Sequence, residues 1–188
     1  MANKPQPHKA EYADFSKSFW AKSFLLVFVF CSHFHQAKPE KRFFCLSDNF
    51  FEVQKNTFYR SKQLSPNKLL FYLKKFNIKT VINLRGENKN KKWWGQEAET
   101  IRKHGAKLHN IAMNANQFPK KQNLLTLLDL YKKAPHPILV HCNGGADRTG
   151  EAAALWVLDQ QNKRKKDALK QLTFKYGHIR SKTPAKRK

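Results

Sequence analysis

The chain has 188 residues, enough for one compact domain with a terminal extension, and its 37 lysines and arginines against 13 aspartates and glutamates give a formal charge of +24. One anion pocket does not need that surplus; it points to an anionic surface or substrate, with a solvated basic exterior as the plain alternative. Three cysteines, Cys31, Cys45 and Cys142, exclude a disulfide framework, and none has ligand spacing with the histidines, so neither a metal nor a cofactor is expected.

Residues 1–42 read as an N-terminal extension. Four lysines against Glu11 and Asp14 precede an apolar segment at about 23–34 whose centre, Phe24 to Cys31, is the longest continuous apolar run. A charged stretch before a short apolar one reads as an export signal or a membrane anchor of marginal length, since a spanning helix needs about twenty mostly apolar residues. The expected location is the cell envelope, exported or anchored at the inner membrane; the alternative is a cytoplasmic protein with a buried N-terminal element. Lys38 to Arg42 looks like a linker, and a folded domain is expected over 43–179, followed by a basic tail over 180–188.

Phe50 to Val53 and Thr57 to Ser61 are β-rich runs across a short polar turn, as in a hairpin or edge pair. Ser65-Pro66 starts a helix, with Ser at N-cap and Pro at N1, and Leu69, Tyr72, Leu73 and Phe76 make its apolar face. Lys79 to Leu84 has the composition of a buried strand, and Arg85-Gly86-Glu87 leaves its C-terminal end. A helix from Trp93 to Lys103 stops at Gly105, and Lys107 to Met113 reads as the next strand. Leu124, Leu127, Leu128 and Tyr131 stripe a helix before Pro135. Ile138 to His141 is a strand, Glu151 to Leu158 lies in a helix, and a last helix begins at Asp167, carries Leu169, Leu172 and Tyr176 on one face, and stops at Gly177. Alternating strands and helices imply an α/β fold with a mainly parallel central sheet flanked by helices, whose ligands bind at the carboxyl ends of the strands.

That end is where His141-Cys142-Asn143-Gly144-Gly145-Ala146-Asp147-Arg148-Thr149-Gly150 falls, between a strand and a helix. A loop opening a helix can aim several backbone N–H groups at one point, here those of Asn143 through Arg148, and the helix dipole adds positive potential. Gly144 and Gly145 permit the positive φ values that turn amides inward. Arg148, six residues after Cys142, suits bidentate capture of phosphate oxygens. Cys142 then lies under the phosphorus as nucleophile, in a setting that brings a cysteine pKa from about 8.5 to roughly 3.5–7.5.

His-Cys-x5-Arg-Thr-Gly resembles the signature of the cysteine-dependent protein tyrosine and dual-specificity phosphatases. Asn49-Phe50-Phe51, Phe58 to Ser65, Val81 to Glu87 and Tyr176-Gly177-His178 look like successive blocks of a bacterial dual-specificity-phosphatase-like group, so the resemblance spans about Asn49 to His178. It implies a protein tyrosine phosphatase-like fold of the dual-specificity type and two-step transfer, in which Cys142 attacks phosphorus and water hydrolyses the phosphocysteine. Thr149 donates to the departing sulfur, and His141 either fixes the loop and the thiolate or is simply packed at a strand end.

Many relatives supply a general acid from an upstream loop, but Asn114-Ala115-Asn116-Gln117 has no carboxylate where that loop falls. Asp147, beside Arg148, is the expected replacement, resembling the loop aspartate of lipid-directed and atypical members; the plain alternative is an ion pair or a helix cap. Arg85 contacts substrate or pairs with Glu87, and Trp93-Trp94 meets a membrane interface or phosphotyrosine ring, or is packed. The expected partner is a phosphorylated protein, with phosphoinositides or other phospholipids second and an anionic membrane surface possible through the basic exterior. A catalytically weak phosphate-binding module is the reading from another class. Nucleic acid is disfavoured as a partner, because it would leave the loop signature unexplained.

Overall fold

The computed structural model describes residues 48–179. The apolar segment at 23–34, the linker and the 180–188 tail lie outside the described residues, as do Cys31 and Cys45. Among the described residues no helix is long and apolar enough to cross a membrane.

Five strands form one sheet in the order β1-β2-β5-β3-β4. β1 (Phe51–Gln54) pairs antiparallel with β2 (Phe58–Ser61), as the hairpin reading expects, and the remaining pairings, among β2, β5 (Ile138–His141), β3 (Thr80–Asn83) and β4 (Lys107–Asn110), are parallel. Parallel neighbours need crossover helices, which cover both faces. Strand side chains alternate accordingly. Phe58, Ile82, Ile138 and Val140 pack with Leu127 and Tyr131 of α3 (Lys121–Lys133) and with Ala152, Ala153 and Trp156 of α4 (Asp147–Asp159). Tyr59, Val81 and Leu139 pack on the opposite face with Leu69 and Leu73 of α1 (Pro66–Lys75) and Ile101 of α2 (Lys92–His104). The parallel register brings Ser61, Asn83, Asn110 and His141 to one rim.

Four local expectations change. Ser65 stands at the N-cap of α1 but its side chain makes no capping bond, so Pro66 alone marks the start. β4 ends at Asn110 rather than Met113, because Ala112 instead bridges antiparallel to Arg85. α4 begins at Asp147, so Asp147 to Gly150 form its first turn. The expected last helix from Asp167 breaks up: α5 (Lys165–Ala168) is one turn, followed by two 3-10 turns, Leu169–Gln171 and Phe174–Tyr176. The break between the 3-10 turns, where Thr173 is extended, frees the Gln171 carbonyl for Arg60 and sets Leu172 against the helical backbone of Gly150.

Candidate active site

β5 ends at His141, and the chain turns at once into α4. The Gly145 N–H donates to Cys142 Sγ at 3.3 Å, while the Gly145 carbonyl accepts from Arg60 Nη2 at 2.8 Å. The turn between these two peptides depends on glycine: φ is +72°, and a Cβ would stand 2.7 Å from the Lys62 nitrogen. Gly144 has open space around it and conventional φ, so only the second glycine of the pair is conformationally required.

The neighbouring loop peptides are also held. Asn49 Nδ2 donates to Gly144 O at 2.8 Å and to Tyr176 O at 3.0 Å, and the Gln63 N–H donates to Asn143 O at 3.0 Å. With their carbonyls engaged outward, these peptides set the loop conformation before any phosphate enters. Cys142 lies beneath, 2% exposed.

Arg148 leaves the first turn of α4, and its Nη1 makes long contacts to Leu84 O at 3.4 Å and Met113 O at 3.3 Å. Its buried Nε has no hydrogen-bond partner among the described residues, leaving a donor for a phosphate oxygen. Arg148 also lines an open cleft of about 460 Å³ with Met113, Asn114, Phe118, Lys120 and Asn123, a wall of amides and cations around one aromatic ring. Arg85 stacks on Trp93 at 3.5 Å and donates to Gln63 Oε1 at 3.0 Å, whereas Glu87 pairs with Lys89. The second reading of Arg85, a pair with Glu87, is thereby replaced. Burial and the nearby Arg148 lower the Arg85 pKa, opposed by Glu97 and Cys142, which places Arg85 in the electrostatic neighbourhood of the loop. Trp94 donates to Asn110 Oδ1 at 3.2 Å.

Asp147 Oδ1 is 2.7 Å from His178 Nδ1. His141 Nε2 stands 2.9 Å from Glu97 Oε1, off the line of a good hydrogen bond, and both side chains are buried. Gln63 Nε2 donates to the same Glu97 oxygen at 2.9 Å, joining Arg85, Gln63, Glu97 and His141 in one chain of contacts. Thr149 is fully buried and its hydroxyl lacks a hydrogen-bond partner among the described residues. No group of His, Cys, Asp or Glu among the described residues could hold a metal ion.

Arg60, Asn49, Gln63, Glu97 and His178 have no assigned role in the sequence reading. Arg60 is fully buried, with Nη1 on Gln171 O and Oε1 and its guanidinium 3.8 Å from the Tyr176 ring centroid. Burial lowers its pKa to about 10, opposed by Tyr176 and Cys142. An arginine inside a four-residue strand, and Glu97 four residues before Ile101 on the buried side of α2, were the available signals.

A mainly parallel sheet that delivers Cys-x5-Arg into a glycine loop at a helix head defines a protein tyrosine phosphatase-like domain. A family model described as "DSP-PTPase phosphatase fused to NAD+ Kinase" matches residues 40–186, and the chain belongs to this family; it is a phosphatase of the dual-specificity type, acting on phosphorylated substrates. Among solved structures, TpbA of P. aeruginosa is similar with a TM-score of 0.58 at 23% identity, over 75% of this chain and 82% of that one. The core catalytic domain of the PP-IP phosphatase SIW14 from S. cerevisiae gives 0.58 at 22%, over 69% and 76%. PTPMT1 gives 0.54 at 17%, over 65% and 79%. These likenesses are of fold. No curated protein matches the chain.

Proposed function

We propose that the protein hydrolyses phosphate monoesters through a phosphocysteine on Cys142, with phosphotyrosine or mixed phosphoprotein substrates. The observation that carries this reading is the Gly145 N–H on Cys142 Sγ at the head of α4, where the helix dipole and the loop amides meet the sulfur. The sulfur attacks phosphorus and the ester oxygen leaves. Arg148 and the amides from Asn143 to Arg148 hold the equatorial oxygens as charge redistributes. Asp147, the one carboxylate in the loop, protonates the leaving oxygen and then takes a proton from the attacking water. Thr149 donates to the departing sulfur a hydroxyl that has no other partner among the described residues.

A phospholipid substrate is the second reading, favoured by the formal charge of +24 and by an acid carried in the loop itself. In either case, the apolar segment at 23–34 would bring the domain to the cell envelope. The test is phosphate release by the full chain from a phosphotyrosine peptide, a phosphoserine peptide and phosphoinositide-containing vesicles, beside Cys142→Ser. Preferred Cys142-dependent release from the peptides supports the protein reading, and preferred release from vesicles the lipid one. Saturable vanadate binding without release from any of them would leave a phosphate-binding module.

A further inference from the structure

We infer that His178 is a positioning residue for the reaction, holding Asp147 in line with the leaving group and stabilising the carboxylate left when the proton is given up. This rests on the reading of Cys142 as nucleophile and Asp147 as acid.

The geometry joins two segments 31 residues apart. His178 Nδ1 meets Asp147 Oδ1 at 2.7 Å; the imidazole is 11% exposed and the carboxylate 33%, so the pair lies at the surface of the loop with the aspartate as its outer member. His178 is fixed by the turn before it. Gly177 takes φ +79°, the His178 N–H donates to Thr173 O at 3.2 Å, and the Tyr176 carbonyl accepts from Asn49. The same Asn49 amide bonds the Gly144 carbonyl, and Arg60, which lies on the Tyr176 ring, also bonds the Gly145 carbonyl. Two side chains therefore tie the turn bearing His178 to the loop bearing Asp147. The relative placement of imidazole and carboxylate is set by the scaffold, as an acid required to meet one oxygen atom needs.

A carboxyl on a short side chain can rotate between useful and useless orientations. With Nδ1 carrying a hydrogen, the His178 bond engages Oδ1 and leaves Oδ2 for the ester oxygen. In the first step the S–P bond forms, the P–O bond breaks, and the Asp147 proton passes to the leaving oxygen. The resulting aspartate is stabilised by the His178 N–H. In the second step water oxygen bonds phosphorus, the P–S electron pair returns to Cys142, and the water proton returns to Asp147. The site ends with the protons it started with, and His178 needs to keep only its hydrogen bond.

The experiment compares His178→Ala, His178→Asn, Asp147→Asn and the double variant Asp147→Asn/His178→Ala in the full chain, on an activated aryl phosphate and on an ester with a poor leaving group, with vanadate affinity measured alongside. His178→Ala is expected to lower kcat on the poor leaving group about 10- to 100-fold, within the range of general-acid catalysis, while changing the activated substrate and vanadate affinity less than about threefold. His178→Asn, which retains an N–H donor, recovers part of the loss, and His178→Ala adds nothing in the Asp147→Asn background. Equal loss on both substrates, loss of vanadate binding, or additive effects would overturn the inference. A leaving-group split in Asp147→Asn without one in His178→Ala overturns the role of His178 alone; no split in Asp147→Asn overturns Asp147 as acid and His178 with it.

Discussion

Arg60 reaches through the interior from β2 to donate to the Gly145 carbonyl at 2.8 Å, and the other side of that residue, its N–H, donates to Cys142 Sγ at 3.3 Å. The amide that faces the nucleophile shares its peptide with the Gly144 carbonyl, which Asn49 holds at 2.8 Å, and the buried guanidinium holds the next peptide along the loop. The same group bonds Gln171 and stacks on Tyr176, so the residues following α5 are part of the loop's support.

Arg60→Leu leaves the Gly145 and Gln171 carbonyls without their donor, at a cost of about 1–3 kcal/mol for each buried group. Urea unfolding is expected to show that loss, and vanadate affinity is expected to fall with it. Arg60→Lys does not restore binding, because an ammonium lacks the planar fork that serves both carbonyls. Full vanadate affinity in Arg60→Leu would remove Arg60 from the loop's support.

The two loop glycines separate cleanly. Gly145→Ala forces a side chain into φ +72° and against the Lys62 nitrogen and the Ser61 carbonyl carbon, whereas Gly144→Ala meets open space. The first change is expected to cost about 1–3 kcal/mol in stability and about 100-fold or more in phosphate release through misplacement of the loop. Gly144→Ala stays close to wild type in stability. Thermal unfolding and turnover of both variants check this, and equal behaviour would contradict the assigned backbone geometry.

Glu97→Ala removes the carboxylate from a buried contact with His141 and from Gln63. Leaving a buried polar partner unsatisfied costs about 1–3 kcal/mol, measurable by denaturant unfolding. In a double-mutant cycle with His141→Ala the losses are expected to be less than additive. Additive losses would show that the 2.9 Å contact carries no coupling.

Tyr59 is 1% exposed; burial, then the hydrogen bond and charge of Glu52, raise its pKa to about 12, and burial also pushes Tyr131 well above the ordinary value of 10.0. Between pH 10 and 12 the unfolded chain binds fewer protons at these sites than the folded one. Their contribution to stability is therefore complete below pH 10 and is lost as pH rises toward 12. Ultraviolet titration is expected to show two tyrosines ionising only together with unfolding; reversible ionisation of every tyrosine near pH 10 with the fold intact would contradict their burial.

Much of this was legible in the sequence because it is local. The run Ile138 to His141 followed by a glycine loop marks a strand, an anion cradle and a helix head within a dozen residues, and Leu124, Leu127 and Tyr131 carry the period of α3. The support of the loop was not legible in the same way. Asn49 reaches Gly144 across 95 positions and Arg60 reaches Gln171 across 111, so no spacing rule connects them. The break-up of the expected C-terminal helix has the same origin. Leu169, Leu172 and Tyr176 repeat at helical spacing, but the Gln171 carbonyl bonds Arg60 and Tyr176 stacks on it, and these tertiary contacts override the local pattern. Asp147 was visible as the loop's carboxylate; its partner His178 became visible only in the fold.

Cys142 as the nucleophile is tested by mixing the full chain with an activated aryl phosphate, quenching within the first turnovers, and locating the phosphoryl group by mass spectrometry. The expected result is a phosphoryl group on the peptide containing Cys142, absent in Cys142→Ser, which still binds vanadate. Turnover that persists in Cys142→Ser, or a phosphoryl group found on another residue, would contradict Cys142 as the nucleophile.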